Sequence, residues 1–151
     1  MINLEREFRM INKLCFGGRL KSIPIFWAQT WCIRGRLVKR NTPGATKSLA
    51  CFIPDPAYHC IMMDPRFKKD LFQVLGLLTH EMLHYDFELK HRGGAHNKRF
   101  NDRLKVLWRK VQRANEKRLW AWYVTKELSK IKNPAVKKIV SEKLKQLKFK
   151  I

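Results

Sequence analysis

The 151-residue sequence predicts an α+β fold, on three observations. Apolar residues recur at helical spacing at the start of the chain and again from Asp64 onward. Short runs of β-forming residues, divided by turns, fill the region between. The pattern His80-Glu81-Met82-Leu83-His84 falls within the most apolar of the helical stretches. The expected order is an amino-terminal helix, a small β-sheet, the helix bearing this motif, and basic carboxy-terminal helices. We expect a main domain over residues 1–113 and a basic helical extension over 114–151, packed on that domain or continuous with it.

Leu4, Phe8, Ile11, Leu14 and Cys15 form the first apolar stripe, and Phe16-Gly17-Gly18 ends it with residues suited to a left-handed cap. Ile23 to Ala28 reads as a strand, with Pro24 near its start where an edge or first position tolerates proline. Trp31 to Val38 is its expected partner, and Asn41-Thr42-Pro43-Gly44 is a turn cluster. Leu49–Ile53 and His59–Met63 read as two further strands split by Pro54-Asp55-Pro56. From Asp64-Pro65 the period changes, with Phe67, Leu71, Val74, Leu75, Leu78, Met82 and Tyr85 on one stripe. That helix is expected to run to about Lys90, before Gly93-Gly94. Beyond it, Phe100, Leu104, Leu107, Trp108 and Val111 mark one helix, and Leu119 to Ile131 a second, which Asn133-Pro134 breaks. A last helix, from about Ala135, sets Val136, Ile139, Val140, Leu144 and Leu147 among lysines.

Charge is the abnormal feature of the composition: 33 Lys+Arg against 12 Asp+Glu give a net charge of +21. An excess of one sign that large implies an anionic partner, most often nucleic acid, because binding releases condensed counterions. DNA is the expected partner beside a protein substrate. Arg109, Lys110, Arg113, Lys117, Arg118, Trp120, Lys137 and Lys138 are the candidate contacts. Trp120 and Trp122 cannot share one helical face, so at least one is open to stack on a base, whereas Trp108 is expected to pack.

Cys15, Cys32, Cys51 and Cys60 include no C-x-x-C pair, so isolated thiols in a reducing compartment are expected rather than a zinc ribbon. The first residues carry charges where a signal peptide needs an apolar run, and no apolar segment approaches the roughly 18 residues of a membrane span. We therefore expect an intracellular, cytoplasmic protein, or one inside a particle assembled in a cell.

The motif is H-E-x-x-H. Four residues apart on a helix, His80 and His84 lie one turn above each other and can reach one zinc ion, with Glu81 beside them as the general base. A catalytic zinc site usually takes three protein ligands. Glu88 and His91 stay near the same face but lie roughly 6 and 10 Å beyond His84 along the axis, out of reach of the metal while the helix is straight. The metzincin pattern fails, because Phe87 and Lys90 stand where it needs Gly and His. Glu116 lies in an ordinary charged surface pattern, whereas His96 follows Gly93-Gly94, two permissive residues that let the chain reverse toward the metal. His96 is the chosen third ligand.

These residues resemble the SprT-like metalloproteases. The resemblance rests on His80-Glu81-Met82-Leu83-His84 followed by Gly-Gly-Ala95-His96-Asn97-Lys98-Arg99-Phe100. It extends upstream to Phe16-Gly17-Gly18-x-Leu20, Ile23-Pro24-Ile25-Phe26-Trp27 and Ile61-Met62-Met63-Asp64-Pro65-x-Phe67, covering roughly residues 4 to 108. It implies a minimal zincin, a Zn2+ cofactor, and an activity like that of the Spartan type, which degrades proteins crosslinked to DNA. The chain departs from the family in lacking paired cysteines for a carboxy-terminal ribbon, and in Ala95 where glycine commonly precedes the third histidine.

The expected chemistry is zinc-dependent peptide hydrolysis, with Glu81 moving the proton and an extended substrate laid against a sheet edge. Tyr85 and Tyr58 are candidates to stabilise the oxyanion. Two other readings stand beside it. One is a non-enzymatic nucleic-acid-binding or packaging protein with a structural zinc, and the other a metallopeptidase of another class whose charge serves a protein partner. Compactness, basic excess and the missing ribbon suit a bacterial or phage protein.

Overall fold

The computed structural model describes residues 2–33, 36–39, 42–43, 46–54, 59–90 and 96–148. It is α+β, and the chain divides into two compact units, Met1–Ala114 and Asn115–Ile151.

The first unit opens with α1, Leu4–Phe16, whose amino end is capped by the Asn3 side chain accepting from the Arg6 N–H at 3.0 Å. Leu4, Phe8, Ile11 and Cys15 bury its apolar stripe. Gly17, at φ 65°, ends the helix in the left-handed region where a Cβ would be strained. Asn12, itself buried, then ties down the departing chain: its amide donates to the Leu20 carbonyl at 2.7 Å and accepts from the Leu20 N–H at 3.2 Å.

Among the described residues six strands follow: β1 Ile25–Trp27, β2 Thr30–Ile33, β3 Arg36–Val38, β4 Thr46–Ser48, β5 Ala50–Pro54 and β6 His59–Met63. They form two three-stranded sheets, ordered β1-β6-β5 and β3-β2-β4, rather than the single small sheet expected. The expected pairing of Ile23–Ala28 with Trp31–Val38 is also incorrect. Trp31–Val38 folds on itself as the β2–β3 hairpin, while β1 runs parallel to β6 with Ile25 opposite Ile61. The physical reason lies in β6. Cys60, Ile61 and Met63 are almost fully buried, and a strand so apolar takes a neighbour on each edge, β1 on one side and antiparallel β5 on the other. Pro24, which has no N–H to give, supplies the carbonyl that accepts from the Ile61 N–H at 3.0 Å.

The motif-bearing helix starts later than its stripe suggested. Asp64 caps only a single 3-10 turn, Pro65–Phe67; a second cap, Asp70, accepts from the Gln73 N–H at 3.1 Å and opens α2, Leu71–Leu89. Val74, Leu75, Leu78, Met82 and Leu83 have no exposed surface, so α2 is buried on most of its circumference. It packs against α1, against β5 and β6, and against α3, Lys98–Ala114. On α3 the stripe Phe100, Leu107 and Val111 is buried, while Arg99, Arg103, Arg109, Lys110 and Arg113 face solvent.

The second unit comprises α4, Glu116–Lys130, and α5, Pro134–Lys148, which contact each other. No residue of α4 is buried. Trp120 and Tyr123 stack at 6.2 Å and are exposed, and the Lys126 ammonium lies 4.6 Å over the Trp122 ring. Among the described residues no helix is long and apolar enough to cross a membrane.

Candidate metal centre

His80 and His84 project from the same face of α2, as their four-residue spacing requires. His96 comes from the segment entering α3 and closes the triangle. The Nε2 atoms lie 3.1 Å apart for His80 and His84, 2.9 Å for His84 and His96, and 3.0 Å for His80 and His96. The start of α3 fixes the third histidine. The Asn97 side chain accepts from the Phe100 N–H at 2.9 Å, and the Asn101 amide donates to the His96 carbonyl at 3.1 Å.

Phe100 forms the floor. It is fully buried, and its ring centroid lies 5.2, 4.5 and 5.0 Å from those of His80, His84 and His96. An apolar surface under three imidazoles cannot hydrate a positive charge. Burial, reinforced by the neighbouring His96, lowers the His80 pKa to about 4. Burial also lowers that of His84 to about 4, with His80 and His96 adding to the effect. Both rings are therefore neutral at pH 7, the form that ligates a metal.

Three ring nitrogens this close cannot all satisfy one another by hydrogen bonding, because each pair needs one donor and one acceptor. A shared cation resolves that conflict. Three imidazoles suit a divalent transition-metal ion. Among the described residues these three histidines are the group able to hold a metal ion.

Glu81 is buried beside them. Its Oε2 accepts from the backbone N–H of Phe52 at 2.8 Å, so an edge strand, β5, fixes the carboxylate. Burial raises its pKa to about 7 against the opposing pull of that hydrogen bond. The Phe52 ring packs on Tyr85 at 5.4 Å and on His59 at 5.5 Å, which locks β5 against α2.

The structure thus brings together His80, Glu81, His84 and His96. Glu88 and Glu116 do not join the cluster, and His59 is engaged in the ring stack on Phe52 and Tyr85. Tyr85 is buried in that stack. Tyr58, His91, Ala95, the Gly93-Gly94 reversal and the turn residues Asn41, Gly44, Asp55 and Pro56 lie outside the described residues. Of the candidate nucleic-acid contacts, Arg109, Lys110 and Arg113 are exposed on α3. In the second unit Lys117, Trp120, Lys137 and Lys138 are exposed, and Arg118 is half-buried, donating to the Asn115 side chain at 2.6 Å.

Two parts of the site escaped the sequence reading. The sequence places Phe100 on a packing stripe and in the segment that carries the family resemblance, and its position four residues after His96 is the one signal of its place as the floor. The Phe52 N–H left no signal, because a backbone donor has no residue signature. No family model, curated protein or solved structure matches the chain.

Proposed function

We propose that this protein is a zinc-dependent endopeptidase of the SprT-like type that acts on proteins associated with DNA. The observation that carries the reading is the convergence of three imidazole nitrogens, within 3.1 Å of one another, beside a buried carboxylate one residue from the first of them. Three histidines without a thiolate are one of the donor sets found in catalytic zinc sites.

His80, His84 and His96 would hold the ion, which when bound supplies Lewis-acid chemistry, acidifying water and polarising a carbonyl. The rest falls to the chain. Glu81, with a carboxyl pKa near neutrality, takes a proton from the attacking water as the C–O bond forms. It returns that proton to the amide nitrogen as the C–N bond breaks, so water is consumed and a carboxylate and an amine are released. The Phe52 N–H keeps the carboxylate aimed through both transfers, and Phe100 excludes bulk water from beneath the imidazoles.

The nucleic-acid part of the proposal rests on charge. Arg109, Lys110 and Arg113 on the first unit, and Lys117, Arg118, Lys137 and Lys138 on the second, sit with exposed Trp120 in a chain of net charge +21. The same cations favour the rival reading, a nucleic-acid-binding protein whose zinc is structural.

Cleavage of an unfolded protein by the zinc-loaded chain, with and without DNA, separates the two. The peptidase reading expects proteolysis that Glu81→Gln reduces by about 10²–10⁴-fold with the zinc content unchanged. Equal cleavage by both proteins, or DNA binding with no cleavage under any condition, would reject it.

A further inference from the structure

A cleft of about 520 Å³ opens beside His80 and Glu81 and follows α2 toward its amino end. That volume lies within the range of about 300–1,000 Å³ typical of sites that enclose organic groups. One wall is Gly76 and Leu77 of α2, and the facing wall is Trp108 of α3. Leu49, Ala50, Phe72 and Leu104 make the lining mostly apolar, with Ser48, Gln73 and Lys105 as its polar members besides His80 and Glu81.

Two features of this lining have no structural explanation in the fold alone. Leu49, just before β5, and Phe72 on α2 remain 45% and 41% exposed at the cleft, although Val74, Leu75 and Leu78 of α2 have no exposed surface. Gly76 is the second. It lies mid-helix, where glycine costs about 1 kcal/mol relative to alanine. Yet a Cβ there would meet nothing closer than the Trp108 ring at 3.7 Å, an ordinary contact. Packing does not demand the glycine. Its missing side chain leaves room for about one methyl group in front of the Trp108 ring, at the wall of the cleft. Phe72 braces that indole edge-on, with ring centroids 5.2 Å apart.

We propose that this cleft is a specificity subsite that receives a bulky apolar side chain, such as leucine, methionine or phenylalanine, from the polypeptide residue next to the scissile bond. The inference rests on the peptidase reading for the identity of its occupant, and its geometry adjoins the same two residues, His80 and Glu81. Gly76 and Trp108 determine what fits; they touch the substrate side chain and not the reacting atoms.

The test is product sequencing of peptide-library digests by the zinc-loaded protein, set beside Gly76→Leu, whose side chain would fill the space before Trp108. Wild type is expected to cut at sites with a large apolar residue at one fixed position. Gly76→Leu is expected to lower kcat/KM for those substrates by about 10- to 200-fold while sparing substrates with glycine or alanine there. Should Gly76→Leu fail to fold, Gly76→Ala, which the structure accommodates, is expected to shift preference from phenylalanine toward alanine in the same direction. Binding of uncleaved peptides to zinc-loaded Glu81→Gln, followed through the indole resonance that Trp108→Phe removes, gives a second readout. If wild type cuts without preference, or the Gly76 variants leave the preference unchanged, the subsite is overturned and the peptidase stands. If apolar peptides shift the Trp108 resonance but nothing is ever cut, the peptidase reading fails, the subsite's assignment to a residue beside a scissile bond fails with it, and the cleft stands only as a place that binds apolar side chains. If peptides neither bind nor are cut, both fail.

Discussion

At the scale of single residues, Glu81 and the two α2 histidines have their pKa values moved in opposite directions by the same cause. Burial disfavours charge, raising the carboxyl to about 7 and lowering His80 and His84 to about 4. The consequences for metal-free stability have opposite signs. The histidine contribution is present above the ordinary histidine pKa of about 6.5 and is lost as pH falls through 4. The Glu81 contribution is present below the ordinary carboxyl value and is lost as pH rises through 7. Glu81→Gln isolates the second, since both proteins share the histidines and glutamine can still accept from Phe52. In chelator-treated protein, urea unfolding should find Glu81→Gln more stable than wild type by about 3 kcal/mol at pH 8 and equal to it near pH 4.5. A difference independent of pH would show that Glu81 is not buried as described.

The elements show why one part of the site was legible and another was not. Helical stripes repeat every three or four residues and need no distant partner to be recognised, so α1, α2 and α3 could be read locally. The H-E-x-x-H spacing is likewise local, and the glycine pair before His96 signalled a return of the chain. Strand pairing is not local. The β1–β6 register joins Ile25 to Ile61, and nothing near either residue announces the other. The start of α2 was misplaced because Asp64-Pro65 and Asp70 are both good caps; the first serves a 3-10 turn and the second the helix.

Phe100 is where two elements meet, touching Phe87 of α2 at 5.4 Å as well as all three imidazoles. Phe100→Ala should destabilise the chelated protein by about 3–5 kcal/mol in urea unfolding. It should also weaken zinc binding by at least about tenfold, as loss of a ligand-orienting neighbour does. Unchanged zinc affinity in a folded Phe100→Ala protein would deny its role as floor.

At the scale of the whole molecule, a net charge of +21 on 151 residues implies a counterion-release component to any DNA contact. Seven named cations give an upper slope of about −6 for log K against log salt, and we expect a measured slope between about −3 and −6. Binding insensitive to salt would remove DNA from the account while leaving the metal centre untouched.

His80 and His84 from one helix and His96 from the entry to another are expected to share a single ion. X-ray absorption at the zinc edge, on protein purified without added metal and on protein loaded with one equivalent, tests it most directly. The predicted result is one zinc per chain with three imidazole nitrogens at about 2.0–2.1 Å and a lighter-atom fourth neighbour. A spectrum with sulfur neighbours, with fewer than three imidazoles, or with zinc left in solution at one equivalent would contradict it.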